Sequence, residues 1–144
     1  MVIALLNWPI IAQSFTIGAI QVGQAWARAT PLNASAAAVY VTLFNTGNSA
    51  ETLVSATTPI ARSVTLHQTH FAQGVTTMQQ IAGLTLIPNQ PVGMGPGGLH
   101  LMLSGLTQPL NAGDRFPLIL RFSKSGSIQI QVKVGSAKAM SAPH

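Results

Sequence analysis

The sequence predicts an all-β fold, an antiparallel sandwich or barrel, from three observations. Short runs rich in β-branched and aromatic residues alternate between apolar and polar positions. Turn signals of Gly, Pro, Asn and Asp separate these runs, and no segment keeps a helical period over three turns. At 144 residues, without an internal repeat or a linker, the chain is expected to form one domain with a substantial core.

The predicted strands follow one another along the chain. The first spans 15–25 with loose alternation, and Pro31 prevents its continuation. The second spans 36–45 (AAAVYVTLFN) and ends in the turn signal NTGN at 45–48. Further strands are predicted at 51–56, 63–69, 76–81, 84–87, 99–103, 116–122 and 128–134, with loops at 73–74 and 91–98.

Both ends of the chain are predicted to lie outside the folded domain. Residues 1–13 contain an apolar run that is typical of an export signal and too short for a membrane span of about 20 residues. The basic start of such a signal is missing, so this segment is interpreted as a signal remnant with the true start upstream. An ordinary first strand or a ragged terminus is the alternative. The domain then spans 14–135, and 136–144 form a flexible tail.

Composition narrows the possible functions. Charged residues make up 6% of the chain and hydrophobic residues 47%, as in a folded β protein rather than a disordered one. The net charge is +5, but the seven Lys and Arg are scattered, without the basic patch that nucleic-acid binding requires. The acidic residues, Glu51 and Asp114, lie at predicted turns away from the histidines. This disfavours a hydrolytic triad, and we expect no enzyme.

Four residues in the middle of the chain form a spaced set of metal ligands: His67, Met78, His100 and Met102. Ten residues separate the first two, 21 separate the second and third, and one separates the last two. In the predicted strand 99–103 (LHLML), the leucines share one face, so His100 and Met102 share the other. The leucine face is expected to be the core, which directs His100 and Met102 away from it.

The other two candidate ligands follow the same logic. In the run VTLH at 64–67, the apolar Val64 and Leu66 take one face and His67 takes the other. Met78 is the large apolar residue in the polar run TTMQQ at 76–80. Two imidazoles and two neutral thioethers suit Cu(I), and the absence of cysteine excludes a blue-copper site. Taken singly, a histidine on a β protein is usually a solvated or hydrogen-bonded side chain, and a methionine is usually a core filler.

Four further residues have open roles. Met94, in the predicted loop before the glycine pair, is either an accessory sulfur ligand or a filler of that loop. His70 falls on the opposite strand face from His67 and is left out of the site. Met140 and His144 are the Met and His residues of the tail.

At these positions the sequence resembles the periplasmic copper(A) chaperone (PCuAC) family, which is marked by the pattern H-x10-M-x21-H-x-M. The stretches AWARATP, VYVTLFNTG, PGGLHLMLSGL and LILRF are also similar to that family, and the resemblance covers about residues 15–135. It implies a cupredoxin-like Greek-key β-sandwich that binds one Cu(I) at an exposed site through His67, Met78, His100 and Met102.

The resemblance also implies a biological role. The family carries copper in the periplasm to the copper A centre of cytochrome c oxidase, which lies in subunit II, often alongside Sco-type proteins. A protein of this kind is exported and is not an integral membrane protein. The alternative is a metal-free exported β-sandwich that serves as an interaction or adhesion module. That alternative treats the spacing of the four residues as accidental.

Overall fold

The computed structural model describes residues 15–143, and every regular element within that range is a β-strand. The predicted signal remnant at 1–13 and His144 lie outside the described residues. No helix among the described residues is long and apolar enough to cross a membrane. The strands are β1 (Phe15–Ile17), β2 (Ile20–Val22), β3 (Ala25–Arg28), β4 (Ala36–Tyr40), β5 (Thr42–Asn45), β6 (Glu51–Thr57), β7 (Ala61–Ala72), β8 (Val75–Ile81), β9 (Leu84–Leu86), β10 (Val92–Gly93), β11 (Leu99–Leu106), β12 (Arg115–Phe122) and β13 (Gly126–Gly135).

The strands form two sheets. The larger has nine strands in the order β8-β7-β11-β4-β3-β13-β12-β6-β9, and the smaller has four in the order β1-β2-β5-β10. Neighbouring strands are antiparallel, except that β13 and β3 run parallel. The nine-stranded sheet curls until β6, near one end, lies beside β7, near the other. The predicted all-β fold is therefore confirmed.

Two of the predicted strands are broken in the structure. The predicted strand 36–45 is divided at Val41, so that β4 belongs to the larger sheet and β5 to the smaller one. The predicted strand 15–25 is divided at Gly18, which has a positive φ of 55°. The predicted first strand ends at residue 25, whereas in the structure Trp26 lies in the further strand β3 and pairs with Tyr40 and Lys133.

One part of the core lies on the face of the larger sheet that carries the β11 leucines. A row of small and branched side chains crosses it from strand to strand, and each member is buried or nearly so. Register places these residues side by side on a single face. In order across the sheet they are Leu66, Leu101, Val39, Ala27 and Val134. The expectation that the leucines of β11 face the core is therefore correct.

The hairpin of β7 and β8 is longer than the sequence predicted. Its two-residue turn has positive φ at both positions, 53° at Gln73 and 77° at Gly74, which matches the twist of the flanking strands. Residues 70–80 are all exposed. The outer half of the hairpin therefore presents both of its faces to solvent.

The segment after β13 lies along the outer face of β3. The Arg28 guanidinium donates a 2.7 Å hydrogen bond from Nε to the Ala139 carbonyl, and Gln24 Nε2 donates one of 3.1 Å to the Pro143 carbonyl. Arg28 also contacts the Met140 sulfur at 2.9 Å. The segment that the sequence predicts to be a flexible tail thus has specific contacts up to residue 143.

Candidate metal centre

Strand register places all four predicted ligands on one face of β8, β7 and β11. His67 lies directly opposite His100, and Met102 lies opposite Thr65, two residues away from His67 on the same face. Met78 lies opposite Thr69, two residues from His67 in the other direction. Diagonal neighbours of this kind have Cα atoms about 7–8 Å apart. The two histidines form the centre of the group, with one methionine on each side.

The two imidazole rings face each other across the β7–β11 ladder. Their centroids are 5.8 Å apart and their planes are inclined by 59°. Nδ1 of His67 and Nε2 of His100 are buried and have no hydrogen-bond partner within residues 15–143. A buried polar atom without a partner costs about 1–3 kcal/mol. Two such atoms on adjacent rings indicate a place where a ligand atom belongs.

The remaining nitrogen of each ring has a partner. The Gly98 carbonyl lies 3.0 Å from His100 Nδ1, and the Thr65 hydroxyl lies 3.1 Å from His67 Nε2. A carbonyl can only accept, so His100 carries its proton on Nδ1 and has a free lone pair on Nε2. If His67 donates from Nε2 to Thr65, the lone pair on its Nδ1 is free in the same way. A partner that fixes the tautomer is typical of histidines that bind metals.

The loop before β11 explains how Gly98 reaches this position. Gly97 has a positive φ of 83°, which turns the chain immediately before the strand. The Gly98 carbonyl then accepts a second hydrogen bond, of 3.1 Å, from the Thr69 amide. The glycine pair in PGGLHLM thus fixes the start of β11 against β7 and orients the His100 ring.

Exposure differs strongly among the four residues. His100 is only 3% exposed, while Met78 is 55% exposed on the hairpin. Met102 and His67 are half-buried. His100 points away from the leucine face as predicted, but it is not open to water, because this outer face carries aromatic side chains beside it. The site is therefore closed at His100 and open at Met78.

Two aromatic residues extend this face beyond His100. The Tyr40 ring lies edge-on to His100 with centroids 6.5 Å apart, and the Trp26 ring lies 4.6 Å from Tyr40. Both are buried. Burial raises the pKa of Tyr40, and the nearby Arg28 charge lowers it by less. These rings form an apolar wall at the closed side of the histidine pair.

Met94 and His70 lie outside the group formed by the four candidate ligands. Met94 is 8% exposed and belongs to the hydrophobic core, as the loop-filler interpretation expects. His70 is exposed and pairs with Thr77 on the face opposite His67. No group of three or more His, Cys, Asp and Glu side chains within residues 15–143 could hold a metal ion.

A family model described as "Putative lipoprotein LpqE-like" matches residues 20–134. The chain belongs to the LpqE-like family. A relative in Leifsonia xyli, named "Putative lipoprotein Lxx21020", is 35% identical over 116 residues, which are 80% of this chain and 69% of the relative.

Two solved structures are similar to this LpqE-like protein. The apo PCuAC domain of PmoF2 is 26% identical, with a TM-score of 0.77, and the match covers 90% of this chain and 99% of that domain. The solution structure of CuI-DR1885 from Deinococcus radiodurans is 28% identical, with a TM-score of 0.66, covering 88% of this chain and 83% of that one. The predicted resemblance to the PCuAC family and its cupredoxin-like fold is thus confirmed.

Sequence reasoning missed the residues that orient the ligands. Thr65 precedes His67 by two residues, so strand alternation alone places it on the same face, and this signal was available. The role of Gly98 depends on a carbonyl direction set by the turn at Gly97, which has no side-chain pattern. Tyr40 comes beside His100 only through the pairing of β4 with β11.

Proposed function

We propose that this protein binds one Cu(I) ion through His67, Met78, His100 and Met102 and carries it as an exported metallochaperone. The observation that carries the proposal is the pair of buried nitrogens without a hydrogen-bond partner among the described residues, one on His67 and one on His100, whose ring centroids lie 5.8 Å apart. Nδ1 of His67 and Nε2 of His100 would be the two nitrogen ligands.

The chemistry of these four residues suits a carrier. Thioethers are soft and neutral, so they favour monovalent copper over harder divalent ions. No thiolate is present to hold the ion tightly, because the chain contains no cysteine. The exposed Met78 leaves one side of the site accessible to the ligands of a partner. The similarity to the Cu(I) form of DR1885 supports the same metal and oxidation state.

The proposed destination is the copper A centre in subunit II of cytochrome c oxidase, with Sco-type proteins as further partners. The PCuAC-type fold and the four-residue pattern support this role. The lipoprotein names of the family and of the Leifsonia relative support export, and we propose the periplasm as the compartment.

The alternative is a metal-free exported sandwich that acts through its surface. It leaves both partnerless nitrogens unexplained, since a module without metal gains nothing from burying two unsatisfied imidazole atoms. It would also be expected to cover the exposed thioether of Met78 rather than present it on the same face as the histidines.

The test is anaerobic competition of the purified protein for Cu(I) against a coloured chelator. We expect one ion per chain, and replacing Met78 and Met102 together by isoleucine should abolish binding while the protein stays folded. Met94→Ile is the matched control, because Met94 lies in the core and should leave copper affinity unchanged. A double variant that still binds one ion with native affinity would reject the proposed site.

A further inference from the structure

The open edge of β8 differs from the other sheet edges among the described residues. The two sheets end in β8, β9, β1 and β10. The last three are 3, 3 and 2 residues long, whereas β8 has seven. Very short edge strands, charges and prolines are the usual protection against pairing with another chain. The segment 71–81 (FAQGVTTMQQI) contains no charged residue and no proline.

The register of the hairpin shows which backbone groups this edge offers. In a hairpin with a two-residue turn, the residues that flank the turn form a hydrogen-bonded pair, here Ala72 and Val75. Pairs then alternate, so Thr76, Met78 and Gln80 direct their amide and carbonyl groups away from β7. The Thr69 amide is consistent with this alternation. Thr69 lies opposite Met78, and its amide donates to the Gly98 carbonyl on the β11 side of β7, away from Met78.

One of the residues with outward backbone groups, Met78, is also the exposed candidate ligand. The Met78 side chain lies on the sheet face that carries His67 and His100, and its backbone lies at the free edge of β8. On the far side of the histidine pair, β11 is already paired with β4. Among the described strands that carry the candidate ligands, β8 is therefore the one at which a copper-accepting protein can pair its backbone.

The hairpin also concentrates exposed apolar side chains. Phe71, Val75 and Met78 are 73%, 58% and 55% exposed. Phe71 and Met78 share the face that carries the histidines. Exposed apolar groups next to an unprotected edge are typical of a protein interaction surface.

We propose that a copper-accepting protein docks by adding an extended strand to the free edge of β8, with soft donor side chains at alternate positions. This proposal rests on the proposed function. The added strand would form hydrogen bonds with Thr76, Met78 and Gln80, and its own same-face side chains would lie about 5 Å from that of Met78. A thioether, imidazole or thiolate there replaces the Met78 thioether on Cu(I), with no change of oxidation state.

A second copy of this chain is a poorer occupant of the edge. Each copy has a formal net charge of +5, so two copies repel each other. A paired β8 would also offer only another Met78, which serves the copper ion of its own chain. A neutral or acidic protein with soft donors has neither disadvantage.

The test is amide hydrogen exchange of the full chain, without metal and with Cu(I), in the presence of a capped nine-residue peptide of alternating Thr and Met. Exchange should slow by about tenfold at Thr76, Met78 and Gln80, the effect expected of one added hydrogen bond each. Thr77 and Gln79, which already bond to β7, should not change. Equal protection at all five amides, or none at millimolar peptide, would overturn the proposal.

Two substitutions at one exposed position separate backbone pairing from side-chain contact. Thr76→Pro removes an outward amide without touching the β7 ladder, whereas Thr76→Val keeps the amide. We expect the proline variant to bind the peptide about tenfold more weakly and the valine variant to bind it like the native protein. Both should retain native Cu(I) affinity. Peptide binding that is equal in the two variants contradicts strand addition.

Two controls keep this proposal distinct from the copper site itself. A peptide with norleucine in place of methionine should still protect the three amides but should fail to withdraw Cu(I). If the protein binds no Cu(I) yet shows the alternating protection, the docking edge stands and the proposed function fails. If the same three amides become protected at high protein concentration without peptide, the occupant is a second copy and the proposal is wrong.

Discussion

Within residues 15–143, two of the places where polar groups are buried, one at Glu51 and one at His100, are built in opposite ways. At one, the Glu51 carboxylate is 4% exposed and accepts several hydrogen bonds from the start of β6 and from the β12–β13 turn. Both of its oxygens are occupied. The donors are the amides of Thr52, Lys124 and Ser125 and the hydroxyls of Ser123 and Ser125, at 2.7–3.2 Å.

At the other place, each imidazole of the His67–His100 pair has one nitrogen with a partner and one without. The comparison shows that the hydrogen bonds of a buried polar group help to distinguish a structural group from a candidate ligand. A group whose hydrogen bonds are complete stabilises the fold, whereas a buried group left incomplete costs stability until a ligand satisfies it. The two places should therefore respond differently to substitution.

The largest expected effect is on copper binding at the incomplete centre. His100→Leu removes the partnerless nitrogen, and the Gly98 carbonyl keeps its bond from Thr69. Copper affinity should fall by more than about 100-fold, since loss of a ligand exceeds the loss of an outer partner. Chemical unfolding should show a change in stability of less than about 1.5 kcal/mol. His70→Leu, at an exposed position, should change neither quantity, and a large loss of stability in His100→Leu would show that the ring is mainly structural.

The next effect is on stability at the complete centre. Desolvation by itself would raise the pKa of Glu51, but the hydrogen bonds from Ser123, Thr52, Ser125 and Lys124 outweigh it and lower the pKa to about 2. The folded state therefore favours the carboxylate. Its contribution is fully present above the usual pKa of 4.5 and is lost as the pH falls through about 2, and it amounts to about 3 kcal/mol.

This contribution can be measured by substitution at neutral pH. Glu51→Gln should destabilise the protein by about 3 kcal/mol in urea unfolding, because an amide cannot accept all of these bonds. Cu(I) affinity should be unchanged for the folded fraction. Asp114→Asn, at an exposed turn, is the charge-matched control and should cost less than about 1 kcal/mol. Equal losses in the two variants would mean that net charge, not the Glu51 hydrogen bonds, matters.

The smallest effect concerns the tautomer of His67. Thr65→Val keeps the size of the side chain but removes the hydroxyl beside Nε2. Copper affinity should fall by about 10–100-fold, as for other partners of metal-binding histidines. Thr65→Ser should restore it, and nitrogen NMR of the His67 ring should report loss of the single tautomer in the valine variant only. A native affinity in Thr65→Val would remove Thr65 from the site.

The site could be approached from sequence because strand alternation is a local property. The runs LHLML and VTLH assign His100, Met102 and His67 to the face opposite the leucines, and register agrees. The burial of each candidate ligand was harder to predict from sequence, because it depends on which strands flank the site. His100 is covered because β4 brings Tyr40 beside it, whereas Met78 is exposed because β8 has no further neighbour among the strands of residues 15–143.

Some strand boundaries could also be predicted from local sequence, whereas others depend on strand pairing. Turn residues 73–74 and the loop before β11 were predictable from glycine and its neighbours. The switch of sheets at Val41 was not, because the ten residues 36–45 have an uninterrupted β pattern. A strand at Trp26 was not predicted for a similar reason, because the four residues of β3 are held in place by their pairing with β4 and β13.

The sequence alone determined that this chain is all-β, that it has no thiolate chemistry, and that two histidines and two methionines are available on faces opposite apolar residues. These properties depend on residue type and on the two-residue period of a strand. The tertiary structure decided that His67 faces His100, that one nitrogen of each ring lacks a partner, and that Met78 lies at an open sheet edge. The first two depend on the pairing of β7 with β11, which are distant in sequence, and the third depends on no other described strand pairing with β8. A local pattern encodes none of these.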